Sequence, residues 1–251
     1  MKTDVKKNSP QRILVTGASS GIGAAITASL AAPGVSIGIH YHRNGAGAGA
    51  VAKTATAAGA TIALLPADLS TVEGRAALPT FVEEQLGGCD VLINNAGSPL
   101  MMRQFGDYSE ADIDAILGLN YVAPLFLCQA FFPVMCRQGY GRIINISSIG
   151  IKFGGGIETA VYSSAKSALE VLTVNLSKQG ALHNVTVNTV RAGVIDTPQH
   201  EAFGKDLDAR RQLIPMQRLG TPDEVAAMVA YLVGDTADFI TGQTFSVSGG
   251  E

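Results

Sequence analysis

The sequence has few cysteines, and none of them has a spacing that indicates a covalent or metal cross-link. Cys89, Cys128 and Cys136 are odd in number and form no C-x-x-C pair or Cys/His ligand group. A disulfide framework and a structural zinc site are therefore not expected, and no metal site is predicted. We expect the three thiols to pack inside the fold.

Basic tracts and long apolar runs are also missing. The chain has 18 Lys and Arg residues against 21 Asp and Glu residues, a formal charge of −3, and no basic stripe interleaved with aromatics. Neither nucleic acid nor an anionic membrane is an expected partner. Residues 1–10 are polar with no apolar signal region after them, and no apolar run approaches the ~18 residues of a membrane span. The expected location is cytoplasmic.

Small and apolar residues dominate instead. The 251 residues are 47% hydrophobic and include 29 glycines, which suits one domain with a large core. We predict a flexible segment over 1–10 and a single domain over 11–251.

Short apolar runs alternate with helical stretches along this domain. The predicted strands are 12–17, 35–41, 60–65, 91–95, 142–147, 185–190 and 244–247. A helix is predicted to open near Gly21, and the others are 45–58, 72–86, 109–137, 159–182 and 222–233. This alternation predicts an α/β fold in which a doubly wound, seven-stranded parallel sheet carries helices on both faces, the Rossmann arrangement.

The first strand runs into a glycine-rich loop, from Gly17 through Gly21 to Gly23. Glycines at this spacing let the backbone turn tightly, approach a pyrophosphate and pack the next helix on the strand. The helix that opens near Gly21 would direct free N–H groups at the phosphates. An ordinary glycine-rich turn could have the same residues. Here the strand, the glycines and the helix follow one another in the required order, so a dinucleotide site is predicted.

Tyr162 and Lys166 lie four residues apart, on one face of a predicted helix. A nearby ammonium favours the phenolate, so we expect Lys166 to lower the pKa of Tyr162 and make it a usable proton donor. A pair of this kind also occurs by chance on surface helices. Its place downstream of the glycine-rich loop favours proton transfer to or from an oxygen.

Polar residues follow two other strands at the edge where an open α/β sheet binds ligands. Asn94-Asn95-Ala96-Gly97 ends the fourth strand, where the amides and the glycine would allow close approach of a ring, or form a simple turn. Ser147-Ser148 ends the fifth strand. A hydroxyl there could donate to a substrate oxygen, or only cap the chain.

These motifs, in this order, resemble the short-chain dehydrogenase/reductase family over residues 12–250, and especially its single-domain members typified by 3-oxoacyl-carrier-protein reductase. The resemblance implies that Tyr162 is the general acid or base, that Lys166 lowers its pKa and holds the nicotinamide ribose, and that Ser148 orients the carbonyl. It also implies that Asn120 holds a water for a proton relay. The implied cofactor-binding residues are Gly17, Ser19, Ser20, Gly21, Ile22, Gly23, Tyr41, His42, Arg43, Asn44, Asp68, Leu69, Asn95, Ala96, Gly97, Tyr162, Lys166, Gly193, Ile195 and Thr197.

The end of the second strand bears on the choice of cofactor. It carries no Asp or Glu, whereas Arg43 could bind a phosphate with two hydrogen bonds and His42 could assist. NADP(H) is therefore predicted in preference to NAD(H), although Arg43 could also be a solvated loop residue. The resemblance places Asp68 against the adenine, with a helix-capping role as the alternative.

Two positions depart from the family pattern. Ser148 and Tyr162 are fourteen residues apart, one more than is common, and the glycines 154–156 between them predict an altered loop, so Ser147 could replace Ser148. Ala192 stands where the family generally has proline, which predicts a looser loop on the nicotinamide side.

The predicted reaction is the NADP(H)-dependent reduction of a ketone, or the reverse oxidation of a secondary alcohol, with a 3-oxoacyl thioester on a carrier protein as one candidate. Another carbonyl, sugar or steroid, or a non-catalytic dinucleotide sensor, remains the alternative.

A substrate loop or lid is predicted over 192–221, and six apolar residues could line the pocket or pack the loops: Leu100, Met101, Met102, Phe105, Phe153 and Ile157. The resemblance and the long helices 109–137 and 159–182 imply a homotetramer, with a dimer as the alternative.

Overall fold

A parallel seven-stranded sheet forms the centre of the computed structural model, which describes residues 11–198 and 206–251. The strands are β1 Gln11–Val15, β2 Val35–Tyr41, β3 Thr61–Pro66, β4 Val91–Asn94, β5 Gly141–Ser148, β6 Val185–Ala192 and β7 Thr244–Val247. Their spatial order is β3-β2-β1-β4-β5-β6-β7. The predicted fold class is confirmed. The predicted segment 1–10 and part of the predicted lid, 199–205, lie outside the described residues.

Helices cover both faces of the sheet. They are α1 Gly21–Leu30, α2 Gly45–Ala57, α3 Val72–Leu86, α4 Glu110–Leu117, α5 Ala123–Gln138, α6 Ala160–Gly180, α7 Leu207–Leu213 and α8 Pro222–Val233. On one face α1 packs against α2 and α8, and on the other α5 packs against α3 and α6. A buried apolar cluster fills each interface between helices and sheet, which explains why the strands read as short, continuously apolar runs.

The helix predicted over 109–137 is not regular. A π-helical turn over Gly118–Val122 separates α4 from α5, and it carries the buried Asn120. Such turns insert one residue into the helical ladder and are common at functional sites. The short helix α7 was not predicted, and it lies within the segment that the sequence marked as a lid.

The stretch Glu110–Gln138 is long and apolar enough to cross a membrane by length and composition, and 44% of its most apolar window is buried in the fold. Leu127, Phe131 and Met135 on this stretch belong to the core cluster beneath α3 and α5. The helix is thus accounted for as a core element of the sheet's second face. Its other face still exposes Phe126 and Val134.

The sheet reverses its strand order between β1 and β4, and hydrogen bonds join the ends of these two strands. The Thr16 hydroxyl accepts the N–H groups of Asn95 and Ala96, each at 2.9 Å. In return, the Asn95 amide donates to the carbonyl oxygens of Thr16 and Gly17 at 2.8 and 3.1 Å. The turn after each strand is therefore held open at the point where α/β sheets bind ligands.

A chain of buried polar side chains fixes α6 to the sheet. The Asn94 amide donates to Asn145 at 2.8 Å, and the Asn145 amide donates to the Thr173 hydroxyl, also at 2.8 Å. The hydroxyls of Thr173 and Thr189 lie 2.8 Å apart. Because buried polar groups that lose a partner are costly, this chain sets the position of α6 along the strands.

One buried histidine connects β2 to both neighbouring loops. The Nδ1 atom of His40 accepts the Gly17 N–H at 3.0 Å, so Nε2 carries the proton and donates to the Ala67 carbonyl at 3.0 Å. Burial lowers the pKa of His40 to about 4 from its ordinary value of 6.5. A neutral ring is therefore required for both bonds, because a protonated Nδ1 could not accept the Gly17 N–H.

We expect this histidine to make the fold sensitive to acid. Because its pKa is lowered in the folded state, its contribution to stability is complete above the unfolded pKa near 6.5 and is lost as pH falls toward 4. Between about pH 7.5 and about pH 4.5 the free energy of unfolding should fall by roughly 2.5 kcal/mol from this group alone. Urea unfolding of the unchanged protein and of His40→Asn would measure the difference.

His183→Asn is the matched control, since His183 is an exposed histidine outside this contact. His40→Asn should flatten the pH dependence by about that amount, whereas His183→Asn should leave it unchanged. Identical pH dependence in all three proteins would contradict the assignment.

Candidate active site

A cleft of about 780 Å³ opens at the carboxyl ends of the strands. Every residue of the predicted cofactor-binding set lines it, as do Ser148 and Ser147. Asn120 is the exception among the predicted site residues, because it does not line the cleft and lies behind it. The cleft thus gathers residues from six of the seven strand ends, which are far apart in the sequence.

The glycine-rich loop has the geometry needed to approach a pyrophosphate. Gly17 and Gly21 have φ values of +63° and +54°, a region that side chains disfavour. A Cβ on Gly23 would lie 2.3 Å from the Gly17 carbonyl oxygen, so helix and strand approach too closely there for any side chain. The first helical N–H groups of α1 receive no side-chain cap from Ser20. The residues present therefore fit a dinucleotide, with phosphates at this helix end.

Around the end of β2 the cleft carries a mixed set of charges. Arg43 is exposed, and the Nε2 atom of His42 lies 3.3 Å from a carboxylate oxygen of Asp68. Although partial burial opposes it, the two hydrogen bonds from Ser70 hold the pKa of Asp68 below its ordinary value. Asp68 is therefore an anion that orders this end of the cleft. Thr71, and not Asp68, caps α3.

Asn44 has a structural contact in addition to its place in the cleft. Its side-chain oxygen accepts the Gly47 N–H at 3.0 Å and caps α2. Its amide group donates to the Ser19 carbonyl at 3.4 Å. The residue thereby links the turn after β2 to the glycine-rich loop.

The Tyr162 phenol and the Ser148 hydroxyl interact at the other end of the cleft. Lys166 is buried one turn further along α6, and its ammonium donates to the Ile146 carbonyl at 2.9 Å. The same ammonium lies 5.9 Å from the centre of the Tyr162 ring. The structure therefore brings together the phenol, hydroxyl and ammonium that the sequence singled out.

The expected direction of the Tyr162 pKa is wrong for the chain alone. Burial raises the pKa of Tyr162 to about 12, and the hydrogen bond with Ser148 opposes this rise only in part. Burial also lowers the pKa of Lys166 to about 8. The ammonium donates to a carbonyl and not to the phenol, so the loss of water around Tyr162 outweighs its attraction to Lys166.

Asn120 braces the wall of the cleft through the Ser98 backbone. Its amide group donates to the Ser98 carbonyl at 2.8 Å, and its oxygen accepts the Ser98 N–H at 3.1 Å. A Cβ on Gly97 would lie 2.7 Å from the Lys166 ammonium and 2.8 Å from the Asn120 oxygen. A side chain at residue 97 would displace these groups, so Asn120 and Lys166 both approach this glycine closely.

Ser147 and Ser148 differ in their surroundings. The Ser147 hydroxyl is buried and has no hydrogen-bond partner within residues 11–198 and 206–251, whereas Ser148 contacts Tyr162. The altered loop between Ser148 and Tyr162 is a 3₁₀ turn over Ile149–Phe153 that ends in left-handed glycines. A Cβ on Gly155 would lie 2.0 Å from the Ser163 hydroxyl, so this glycine lets the longer loop fold against α6.

Several details of the cleft were not predicted from the sequence. His40 and Ser70 line it, and a histidine within a mostly apolar strand was the available signal for the first of them. Of the six apolar residues proposed for the substrate pocket, Leu100 alone lines the cleft. Phe105, Phe153 and Ile157 are more than 60% exposed, so they do not pack the loops down.

The loop around Ala192 is better ordered than its lack of proline suggested. Ala192 is buried at the end of β6 and pairs with Val247 of β7. The Gly193 N–H continues the ladder by donating to the Val247 carbonyl at 2.9 Å. In the described part of the chain no group of His, Cys, Asp and Glu side chains could hold a metal ion.

Comparison with known proteins agrees with this geometry. Residues 17–251 match a family model described as enoyl-(acyl carrier protein) reductase. Nodulation protein G of Rhizobium sp. (strain N33) is 36% identical over 244 residues, which are 96% of this chain and 96% of that protein. An acetoacetyl-CoA reductase of Allochromatium vinosum is 35% identical over 241 residues, or 94% of this chain and 96% of that protein.

A solved structure of a short chain dehydrogenase from Burkholderia cenocepacia J2315 in complex with NADP is similar throughout. Its TM-score is 0.88 at 32% sequence identity, and the match covers 98% of this chain and 99% of that one. The cleft, the ordered motifs and these relatives agree, and the chain belongs to the short-chain dehydrogenase/reductase family of oxidoreductases.

Proposed function

We propose that this protein reduces the ketone of a 3-oxoacyl thioester to a secondary alcohol with NADPH. The observation that carries the proposal is the contact between the Ser148 and Tyr162 hydroxyls, one helical turn from the buried Lys166, in the cleft that begins at the glycine-rich loop. The same residues would serve the reverse oxidation.

Tyr162 acts as the general acid. NADPH, when bound, supplies a hydride to the carbonyl carbon, and the carbonyl electron pair moves to the oxygen. The Tyr162 phenol gives its proton to that oxygen, and Ser148 donates a second hydrogen bond to it. Because the pKa of Tyr162 is about 12, the phenol keeps its proton at neutral pH. The transfer is still favourable, since an alkoxide is a stronger base than a phenolate.

Lys166 and Asn120 assist proton transfer from Tyr162. With a pKa of about 8, Lys166 is mostly protonated at neutral pH, so its ammonium stabilises the phenolate that remains after proton transfer. Lys166 would also hold the nicotinamide ribose, and Asn120, whose oxygen lies near the same glycine, would position a water that returns the proton. Ser148 is assigned in preference to Ser147 because only Ser148 contacts Tyr162.

Arg43 selects NADPH over NADH in this proposal. The end of β2 offers an exposed guanidinium and His42, and no carboxylate of β2 is available to bind the two ribose hydroxyls. Asp68 lies beside His42, and its two carboxylate oxygens already face His42 and Ser70. A bidentate contact between Arg43 and a ribose phosphate would therefore meet little repulsion.

The substrate class rests on the similarity to an acetoacetyl-CoA reductase, together with the site geometry. A carrier-protein thioester has the same reacting group as a coenzyme A thioester. Cyclic diketones, ketosteroids and ketoses are the competing substrates to include in any test, because the reacting groups of the cleft would act on their carbonyls equally.

The first prediction concerns turnover. The purified protein should oxidise NADPH, followed by absorbance, when acetoacetyl-CoA is added. Tyr162→Phe should lower kcat by about a thousandfold, because it removes the proposed proton donor, while NADPH affinity changes by less than about twofold. Retained turnover in Tyr162→Phe would remove Tyr162 from its role. Faster turnover of another ketone class by the unchanged protein would reassign the substrate.

A second prediction concerns Arg43. Replacing it with methionine should weaken NADPH binding by about tenfold to a hundredfold and leave NADH binding unchanged, because only NADPH carries the phosphate. Fluorescence titration with each cofactor would measure both affinities. Arg137→Met, at an exposed arginine of α5, is the control and should change neither. Equal losses of affinity for the two cofactors would show that Arg43 does not bind the phosphate.

A homotetramer is also part of the proposal. Phe126 and Val134 of α5 and Val171 and Val174 of α6 are 39% to 71% exposed, which leaves an apolar surface on two adjacent helices. An apolar surface of this kind is typical of an interface between subunits.

Light scattering should therefore give four chain masses for the unchanged protein, and Val171→Asp should lower this mass because it buries a charge at the interface. Val72→Asp alters an equally exposed valine on α3 and should leave the mass unchanged. A single chain mass for the unchanged protein would refute the tetramer.

A further inference from the structure

Glu251 contacts two separate segments at the substrate end of the cleft. Its side-chain oxygen Oε1 lies 2.5 Å from the Arg210 guanidinium of α7. Its backbone oxygen accepts a hydrogen bond from the Lys152 ammonium at 2.8 Å. We call these three residues the Glu251 clasp.

Both partners of Glu251 belong to segments that adjoin the reacting groups. Lys152 lies in the 3₁₀ turn Ile149–Phe153, which directly follows Ser148. Arg210 lies in α7, which follows the cleft residue Pro198 along the chain. The clasp therefore joins the loop after the fifth strand to the lid helix after the sixth.

The Glu251 clasp is important because α7 has few other stabilising contacts among the described residues. The helix has seven residues, none of which is buried, and the nearest buried residue is Ile214, which ends the helix. Isolated helices this short are unstable in water, and their stability comes from contacts with the rest of the fold. Arg210 provides such a contact, whereas the neighbouring Arg211 pairs with Asp208 inside the same helix.

Glu251 itself is held rigidly. Its side chain is 6% exposed, and its second carboxylate oxygen, Oε2, is buried without a hydrogen-bond partner among the described residues. The Ser248 hydroxyl donates to its backbone oxygen at 3.2 Å. The Met216 N–H donates to the Gly249 carbonyl at 3.0 Å, which joins this segment to the chain after α7. A buried carboxylate with so few partners depends on the charge of Arg210.

We propose that Glu251 is a positioning residue that ties α7, through Arg210, to the turn that follows Ser148, and so sets the affinity for the carbonyl substrate. That this affinity is an affinity for a carbonyl substrate rests on the function proposed above. Hydride and proton transfer do not pass through the clasp, because Glu251 does not line the cleft.

The test compares Glu251→Gln, Arg210→Gln and the double variant with Arg211→Gln as the matched control. A partly exposed charge-assisted hydrogen bond is expected to contribute about a factor of ten. Hydrogen exchange of the α7 amides should accelerate by about tenfold in either single variant. KM for acetoacetyl-CoA should rise by a similar factor with kcat and NADPH affinity nearly constant. The double variant should be no worse than the singles, and Arg211→Gln should match the unchanged protein.

Two results separate this proposal from the function on which it rests. Faster exchange in the clasp variants of a protein that reduces none of the ketones would support the clasp and contradict the reductase. Unchanged exchange and unchanged KM in both single variants, with reductase activity present, would overturn the clasp alone. Equal effects from Arg211→Gln would also overturn it, because α7 would then be sensitive to the loss of any positive charge and not to the loss of the contact with Glu251.

Discussion

The junction between β1 and β4 is the constraint on which the active cleft depends. Thr16 accepts two N–H groups from the chain after β4, and Asn95 returns two hydrogen bonds to the chain after β1. Because sequential strands cross to opposite sides of the sheet at this point, the two turns diverge and leave a crevice between them. The glycine-rich loop, the Asn95 turn and His40 all adjoin this junction. The reacting groups lie further along the same edge, with Ser148 at the end of β5 and with Tyr162 and Lys166 on α6.

Burial controls the chemistry of those reacting groups more than their mutual attraction does. The loss of water raises the pKa of Tyr162 and lowers the pKa of Lys166, so each group favours its neutral form. A phenol that stays protonated is suited to giving a proton to a developing alkoxide. A lysine with a pKa of about 8 is suited to carrying a positive charge when the phenol becomes a phenolate. Both properties depend on how α6 is fixed to the sheet by Thr173 and Asn145.

Much of this site was predictable because local motifs encode it. The glycines of the first loop, Asn95 and the Tyr162–Lys166 spacing act through backbone geometry that the sequence displays directly, and all of them line the cleft. The direction of the Tyr162 pKa was not predictable, since it depends on burial by residues distant in sequence. The π-helical turn at Asn120 and the short helix α7 were missed for a related reason, because both depend on tertiary contacts and not on local periodicity.

The central claim is that the dinucleotide site and Tyr162 act on one carbonyl in one cleft. The most direct measurement uses NADPH deuterated at C4 of its nicotinamide, on the transferred face, with acetoacetyl-CoA as the substrate. Mass spectrometry of the alcohol product should find one deuterium on the carbinol carbon, because the hydride passes directly between the two bound molecules. Oxidation of the cofactor that leaves no deuterium in the product would contradict the account.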